Sequence, residues 1–350
     1  MKIALITGSC GLVGSESSSF FSKKGFKILG IDNNTRKFFF GKDGDISWVK
    51  KKLKNNLNNY HHSNVDIRNY LSLKKIFLKY KKNIKVIIHA AAQPSHDWAK
   101  NQPFIDFDIN ARGTLNLLEL TKQYCPKAPF IFMSTNKVYG DNPNFLPLVE
   151  KKTRWEIKNN HKYRDGIDET MSIDNCTHSF FGASKAYSDL IVQEYGKNVG
   201  LKTACFRAGC ITGPNHSGAK LHGFLSYLVK SSLQNKKYTL IGYKGKQVRD
   251  NIHSEDLVSC FWEFYKKPKM GEVYNTGGGR YSNCSIIEAL NLVQAITGKK
   301  IKKKILKENR VGDHIWYVSS MSKFKRDYPN WRQNYSSKKI IQELIEQFSS

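Results

Sequence analysis

The chain lacks any apolar run near the roughly 20 residues that a bilayer-spanning helix needs, so no membrane association is expected. Proline is scarce, at 9 of 350 residues, and no Pro/Ser-rich linker or internal repeat divides the chain. Any second lobe is therefore expected to pack closely on the first. The seven cysteines (Cys10, Cys125, Cys176, Cys205, Cys210, Cys260 and Cys284) are odd in number and contain no C-x-x-C pair. The ten histidines form no H-E-x-x-H pattern. Those absences argue against a disulfide framework and a zinc site, so reduced thiols and no metal are expected. The apolar start, residues 1–8 (MKIALITG), ends at once in glycines with no small-residue cleavage site, so the expected location is the cytoplasm. Acidic residues are also few, 29 against 57 Lys and Arg, for a net charge of +28. Such a charge raises nucleic-acid binding as a reading. The lysines, however, are spread along the chain. Lys74, Lys75, Lys79, Lys81, Lys82 and Lys85 follow one amphipathic segment, and Lys299, Lys300, Lys302, Lys303, Lys304 and Lys307 surround Ile301 and Ile305. Solvent-facing lysine explains both clusters, and no nucleic-acid partner is expected.

What is present is a globular composition, 40% hydrophobic and 25% charged, in a chain long enough for a large core. Short β-rich apolar runs stand at 2–7, 27–31, 84–88, 130–133 and 202–206. Helical stretches lie between them at about 12–25, 70–81, 107–124 and 180–198. Strands alternating with helices predict an α/β fold, a Rossmann-type doubly wound parallel sheet. After Arg207 the alternation loosens, which predicts a smaller α/β substrate-binding lobe. The expected division is a first, Rossmann-type domain over 1–207 with a returning segment at 250–277, whose residues 272–276 add a strand. The second lobe then takes 208–249 and 278–350.

Gly8-Ser9-Cys10-Gly11-Leu12-Val13-Gly14 reads G-x-x-G-x-x-G, directly after the first strand, with Leu12 and Val13 opening a helix. Glycines let the backbone approach a pyrophosphate, which the N–H groups of the helix N-terminus bind. Asp32, at the end of the second strand and followed by Asn33, would accept hydrogen bonds from an adenosine ribose and repel a 2′-phosphate, which favours NAD. A turn cap is the plainer role for Asp32, and Arg36 is the one nearby arginine that could accommodate NADP. Asp66, followed by Ile67, is placed either to meet the adenine or to form a turn. Ala90, Ala91 and Ala92 either let the dinucleotide lie against the sheet edge or simply pack a helix on the sheet.

Two later segments fit chemistry at the carboxyl edge of such a sheet. Ser134 to Gly140 (STNKVYG) follows the strand at 130–133, and Phe181 to Lys185 (FGASK) opens a helix. With the glycine loop, these segments resemble the extended short-chain dehydrogenase/reductase family of nucleotide-sugar enzymes, over nearly the whole chain. Further matching stretches are Asp141, His178-Ser179, Gly245 to Asp250 (GKQVRD), His253 and Asp256. Asn110 to Thr114 (NARGT) resembles the family helix that lines a homodimer interface and steadies the active site.

The resemblance implies epimerisation by transient oxidation: a hydride passes from a sugar carbon to NAD and returns to the other face. It implies a CDP-linked dideoxyhexose altered at C2, with a UDP-sugar 4-epimerase as the alternative. Of the family's Ser/Thr, Tyr and Lys, Thr135 and Lys185 match two positions. The tyrosine position, four residues before the lysine, holds Phe181, which has no ionisable proton. Lys185 itself, Thr135 through a water, or His178 would then serve as base, or the protein binds NAD without catalysis. Asn136 and Lys137 stand where the family's dehydratases carry an Asp-Glu pair, so dehydration is disfavoured. Ser134 and Asn136 are the implied sugar contacts. Arg249 and Arg310 resemble positions that hold the diphosphate, while Asn215, His216 and Lys220 are weaker substrate candidates. The stretch 35–58, with Phe38-Phe39-Phe40 and Trp48, has no assigned role.

Overall fold

The computed structural model describes residues 1–215, 223–306 and 312–349. Apolar runs become the strands β1 (Ile3–Thr7), β2 (Lys27–Ile31), β4 (Ile84–His89) and β5 (Phe130–Thr135), and the polar YHHS forms β3 (Tyr60–Ser63). All five residues of β1 are buried, because helices on both faces of a parallel sheet leave no solvated side. The order is β3-β2-β1-β4-β5, with every neighbouring pair parallel. The strands Thr203–Ala208 and Glu272–Thr276 complete seven beyond β5. Chain order reverses between β1 and β4, and the crevice at such a switch point is where open α/β sheets bind ligands.

The chain divides into two compact units. The first comprises Met1–Val138, Ser179–Arg207 and Val258–Tyr274. Its core joins the sheet to Leu73, Phe77, Leu117, Leu118 and Val192 from the helices. The returning segment belongs here because its aromatics close a gap: Phe26 meets Tyr265 with ring centroids 5.3 Å apart, and Phe206 meets Phe261 at 4.9 Å. The second unit comprises Tyr139–His178, Ala208–Leu257 and Asn275–Ser350. Residues 139–178, 250–257 and 275–277 therefore leave the first domain to which the sequence pattern assigned them. Nothing in their local pattern reveals this, since Val248–His253 chooses its partners by tertiary pairing. That strand lies beside Asn283–Ser285, Trp316–Tyr317 and Cys210–Thr212. A second core of Leu225, Leu228, Leu290, Val293, Ile340 and Leu344 packs the helices of this unit. The helix Ile286–Thr297 is closed at both ends, by a Ser285–Glu288 capping box and by Gly298 at φ 67°. Among the described residues no helix is long and apolar enough to cross a membrane.

The stretch 35–58 forms helices Thr35–Phe40 and Ser47–Asn56 around a tight turn. Val49 and Leu53 are buried, and Phe39 packs on Trp98 at 4.5 Å between ring centroids.

Candidate active site

The glycine loop has the shape its spacing predicts. Gly8 has φ 66°, and a Cβ there would stand 2.7 Å from the backbone nitrogen of Ala91. A Cβ on Gly14 would fall 2.0 Å from the Gly8 carbonyl oxygen. Only glycine at these two positions lets helix α1 (Leu12–Lys23) press its N-terminus against the strand ends. The buried face of α1 is correspondingly small: Gly14, Ser15, Ser17 and Ser18 beside Phe21. Its N-cap, Gly11, brings no side-chain acceptor to the first turn, whose N–H groups suit a phosphate.

At the tip of β2, Asp32 accepts from the backbone nitrogens of Cys10 (2.9 Å) and Asn34 (2.8 Å). Burial raises its pKa, and those two N–H bonds pull in the other direction. Two bonds leave the carboxylate with lone pairs for a ribose diol. Arg36 instead lies over the Phe40 ring at 4.8 Å. Asp66 is held by Arg68, whose Nε and Nη2 donate at 3.0 and 2.7 Å, and by Asn33 Nδ2 at 3.0 Å. Burial works against this anion, but the Arg68 bonds outweigh it and keep the pKa below the usual range. Ile67 is buried beneath. Ala91, against Gly8, and its neighbours Ala90 and Ala92 line the loop after β4.

At the end of β5 the Ser134 hydroxyl donates to Asp189 at 2.5 Å. Asp189 is gripped by Arg207 through Nε (3.0 Å) and Nη2 (2.7 Å). Ser134, expected at the sugar, is thus committed to a buried ion pair. Thr135 is only partly buried and accepts from the Lys137 backbone at 3.2 Å. Asn136 beside it is buried, and its side-chain oxygen is 3.4 Å from the Thr135 hydroxyl.

Lys185, on the helix Phe180–Lys197, is 4% exposed; its Nζ donates to the Met133 carbonyl at 2.8 Å. The ammonium also sits 4.1 Å from the centre of the Phe132 ring. Burial pushes its pKa down to about 8. Lys185 thus reaches the fifth strand at Met133, two residues before Thr135 and fifty-two positions away in the chain.

A buried polar network fixes that helix. Residues Asp108–Arg112 form a π-helical turn, a feature that often marks functional sites. Within it the Asn110 side-chain nitrogen reaches Gln93 O (3.2 Å), Asp106 (3.1 Å) and Ser184 (3.1 Å), and its backbone carbonyl accepts from Ser188 at 2.7 Å. His89 bridges Thr7 (2.7 Å) and Thr114 (2.9 Å). Burial, with the Lys185 charge adding to it, drives its pKa well below the ordinary value, so it is a neutral strut. Composition and spacing gave no sign of Gln93, Asp106, Asp189 or His89, whose partners are all distant in the chain.

The Phe181 ring is 7% exposed and meets the imidazole of His96 nearly edge-on, with centroids 4.9 Å apart. His96 Nδ1 is 2.8 Å from the Ser179 hydroxyl. Ser179, the N-cap of the helix, has φ 54° and ψ 158°. That conformation costs a non-glycine residue about 1–3 kcal/mol.

In the second unit, Arg249 Nη1 donates to Val248 O at 2.8 Å and Nη2 pairs with Asp313. His178 lies 3.7 Å from the Cys176 thiol. Asp256 accepts from the backbones of Asn334 (3.0 Å) and Tyr335 (3.0 Å), and His253 stacks on Tyr335 at 3.8 Å. These two family-matched residues brace the C-terminal segment. Asn215 is half-buried, while His216, Lys220 and Arg310 lie outside the described residues.

A glycine cradle that side chains would fill, a carboxylate at the second strand tip and a buried lysine beside the fifth define a dinucleotide-binding α/β fold. The family model described as NAD dependent epimerase/dehydratase family matches residues 4–277, and the chain belongs to that family; its cofactor is NAD. It is 30% identical, over the full length of both chains, to CDP-paratose 2-epimerase of Salmonella typhi. UDP-glucuronate 4-epimerase of Thermodesulfobacterium geofontis is 26% identical, over 99% of this chain and 95% of that one. The fold is also that of a Tyr-to-Phe mutant of UDP-glucuronic acid 4-epimerase from Bacillus cereus, in complex with UDP-4-deoxy-4-fluoro-glucuronic acid and NAD. That structure has TM-score 0.80 and 23% identity, with 99% of each chain covered.

Proposed function

We propose that the protein is a nucleotide-sugar epimerase that inverts C2 of a CDP-linked dideoxyhexose such as CDP-paratose. The full-length likeness to CDP-paratose 2-epimerase carries this choice of substrate, and the bond from Lys185 to Met133, two residues before Thr135, supports the chemistry. Bound NAD would supply a reversible hydride acceptor. Gly8, Gly11 and the first turn of α1, with Leu12, Val13 and Gly14, would hold its pyrophosphate, Asp32 and Asn33 the adenosine ribose, and Asp66 and Ile67 the adenine side. Ala90, Ala91 and Ala92 would give it a flat wall, and Lys185 would hold the second ribose. The Thr135 hydroxyl would hydrogen-bond the reacting sugar hydroxyl, with Asn136 beside it. In the second unit Arg249 would exchange part of its contact with Asp313 for the substrate diphosphate, since guanidinium forks match phosphate oxygens.

Dehydration is disfavoured by Asn136 and Lys137, neither of which is a carboxylate. A homodimer is supported by apolar side chains left in solvent on two helices: Phe104, at 85% exposure, with Phe107, Tyr187 and Leu190. The reading places the protein in the cytoplasm, in the synthesis of polysaccharide precursors. One observation favours a second reading, a non-catalytic NAD-binding protein: the buried Phe181 ring carries no proton. Incubating the protein with NAD and CDP-paratose, UDP-glucose or UDP-glucuronate, and following the sugar ring protons by NMR, tests both. Inversion at C2 of the CDP sugar is expected; inversion at C4 of a UDP sugar would move the substrate. No turnover of any of them would favour the binding protein.

A further inference from the structure

The first unit holds one imidazole where the phenol is missing. Phe181 stands one helical turn before Lys185, and the ring packed on its edge is His96, at 4.9 Å between centroids. Three features set this histidine apart from a packing residue. It is partly exposed, at the start of the short helix His96–Asn101 that follows the alanine wall. Its orientation is set by Ser179, whose hydroxyl lies 2.8 Å from Nδ1. The same hydroxyl accepts from the Gly182 backbone at 3.2 Å, so histidine and catalytic helix are tied through one oxygen. Ser179 occupies a left-handed, extended conformation to do so, and such strain concentrates at functional sites. The stretch 35–58 adds a further support, since Phe38 and Phe39 pack on Trp98, two residues beyond His96.

We propose that His96 carries the proton that a tyrosine at position 181 would otherwise carry; the proposal rests on the epimerase reading above. The sugar O–H bond breaks as its proton passes to Nε2, the ring nitrogen opposite the Ser179 contact. The C–H electron pair leaves as the hydride that bound NAD accepts, and a C=O bond forms. On return the hydride enters the other face, and the imidazolium gives its proton back to the oxygen. Atoms and charge balance with no further reactant. Ser179 is a positioning residue: its hydroxyl oxygen, 2.8 Å away, accepts from Nδ1–H, which keeps the neutral ring in the tautomer whose Nε2 is the proton acceptor. In the chain, the charged Asp97 follows His96 directly, and Lys185 stands one turn beyond Phe181.

The test compares the unmodified protein with His96→Gln, Ser179→Ala and His96→Gln/Phe181→Tyr. NAD binding is measured by calorimetry, kcat/KM is measured against pH, and the His96 imidazole is titrated by NMR of histidine-labelled protein. Expected results are unchanged NAD affinity and a fall in kcat of about 10²–10⁴-fold in His96→Gln, the usual contribution of a positioned acid–base group. The acidic limb of the profile should match the titration of the resonance missing from that variant and should shift in Ser179→Ala. The double variant should regain turnover with a limb displaced toward that of a phenol. A full-rate His96→Gln protein, or a limb unmoved by its loss, would overturn the role of His96 and leave the epimerase reading intact. If the unmodified protein turns over no CDP-, UDP- or dTDP-sugar, the underlying reading falls and this proposal with it.

Discussion

Lys185 offers a stability prediction that can be worked from the structure alone. Its ammonium is almost wholly removed from water, compensated by one carbonyl at 2.8 Å and the face of Phe132. Lowering its pKa from 10.5 to about 8 corresponds to roughly 3 kcal/mol at about 1.4 kcal/mol per pKa unit. That penalty falls on the charged form in the folded state. Below pH 8 both folded and unfolded chains carry the proton, and the folded state bears the full cost. Between about pH 8 and 10.5 the folded lysine releases its proton while the unfolded one retains it, so stability rises with pH over that window. Lys185→Met keeps the length and apolar stem, removes the charge, and leaves the Met133 carbonyl without its donor, a loss of about 1–3 kcal/mol. The variant should therefore match or exceed the parent in stability at pH 7 while losing turnover. Its advantage should shrink as pH rises to 10, because only the parent gains there. Urea titrations of both proteins at pH 7 and pH 10, without NAD, measure the difference, and subtraction removes the other titrating groups. A parent-minus-variant difference that stays flat or moves the other way would refute the reasoning.

Three further outcomes are expected. Calorimetry of the apo protein should find NAD bound at least about tenfold tighter than NADP, because a 2′-phosphate would meet the Asp32 carboxylate; tighter NADP binding would exclude that placement. Arg249→Ala should weaken nucleotide-sugar binding by about 1.5–3 kcal/mol, the worth of a charge-assisted bond, and an unchanged dissociation constant would remove Arg249 from the site. Asp189→Asn should destabilise the fold by about 3–5 kcal/mol in urea, since it removes the carboxylate charge that grips the buried Arg207 guanidinium; a stability within about 1 kcal/mol of the parent would refute this.

The glycine loop and Asp32 are legible in the sequence because each is a local device, whereas STNKVYG and FGASK are linked only through their resemblance to family segments. A turn needs glycine at fixed offsets, a strand tip needs a carboxylate at its end, and the strand–helix period shows in the apolar pattern. The alternation of apolar runs and helical stretches likewise specifies the doubly wound sheet, except for the edge strand β3, whose YHHS carries no apolar pattern. The tertiary structure alone decided the rest. It moved residues 139–178 to the second unit, gave Ser134 to Asp189, and set His253 and Asp256 to bracing the C-terminal segment. It also brought His96 to the edge of Phe181, across 85 positions of chain. Hydrogen bonds and ring contacts between residues so far apart leave no periodicity to read. Their partners are selected by which strand ends the sheet order places together, and that order is a property of the packed chain.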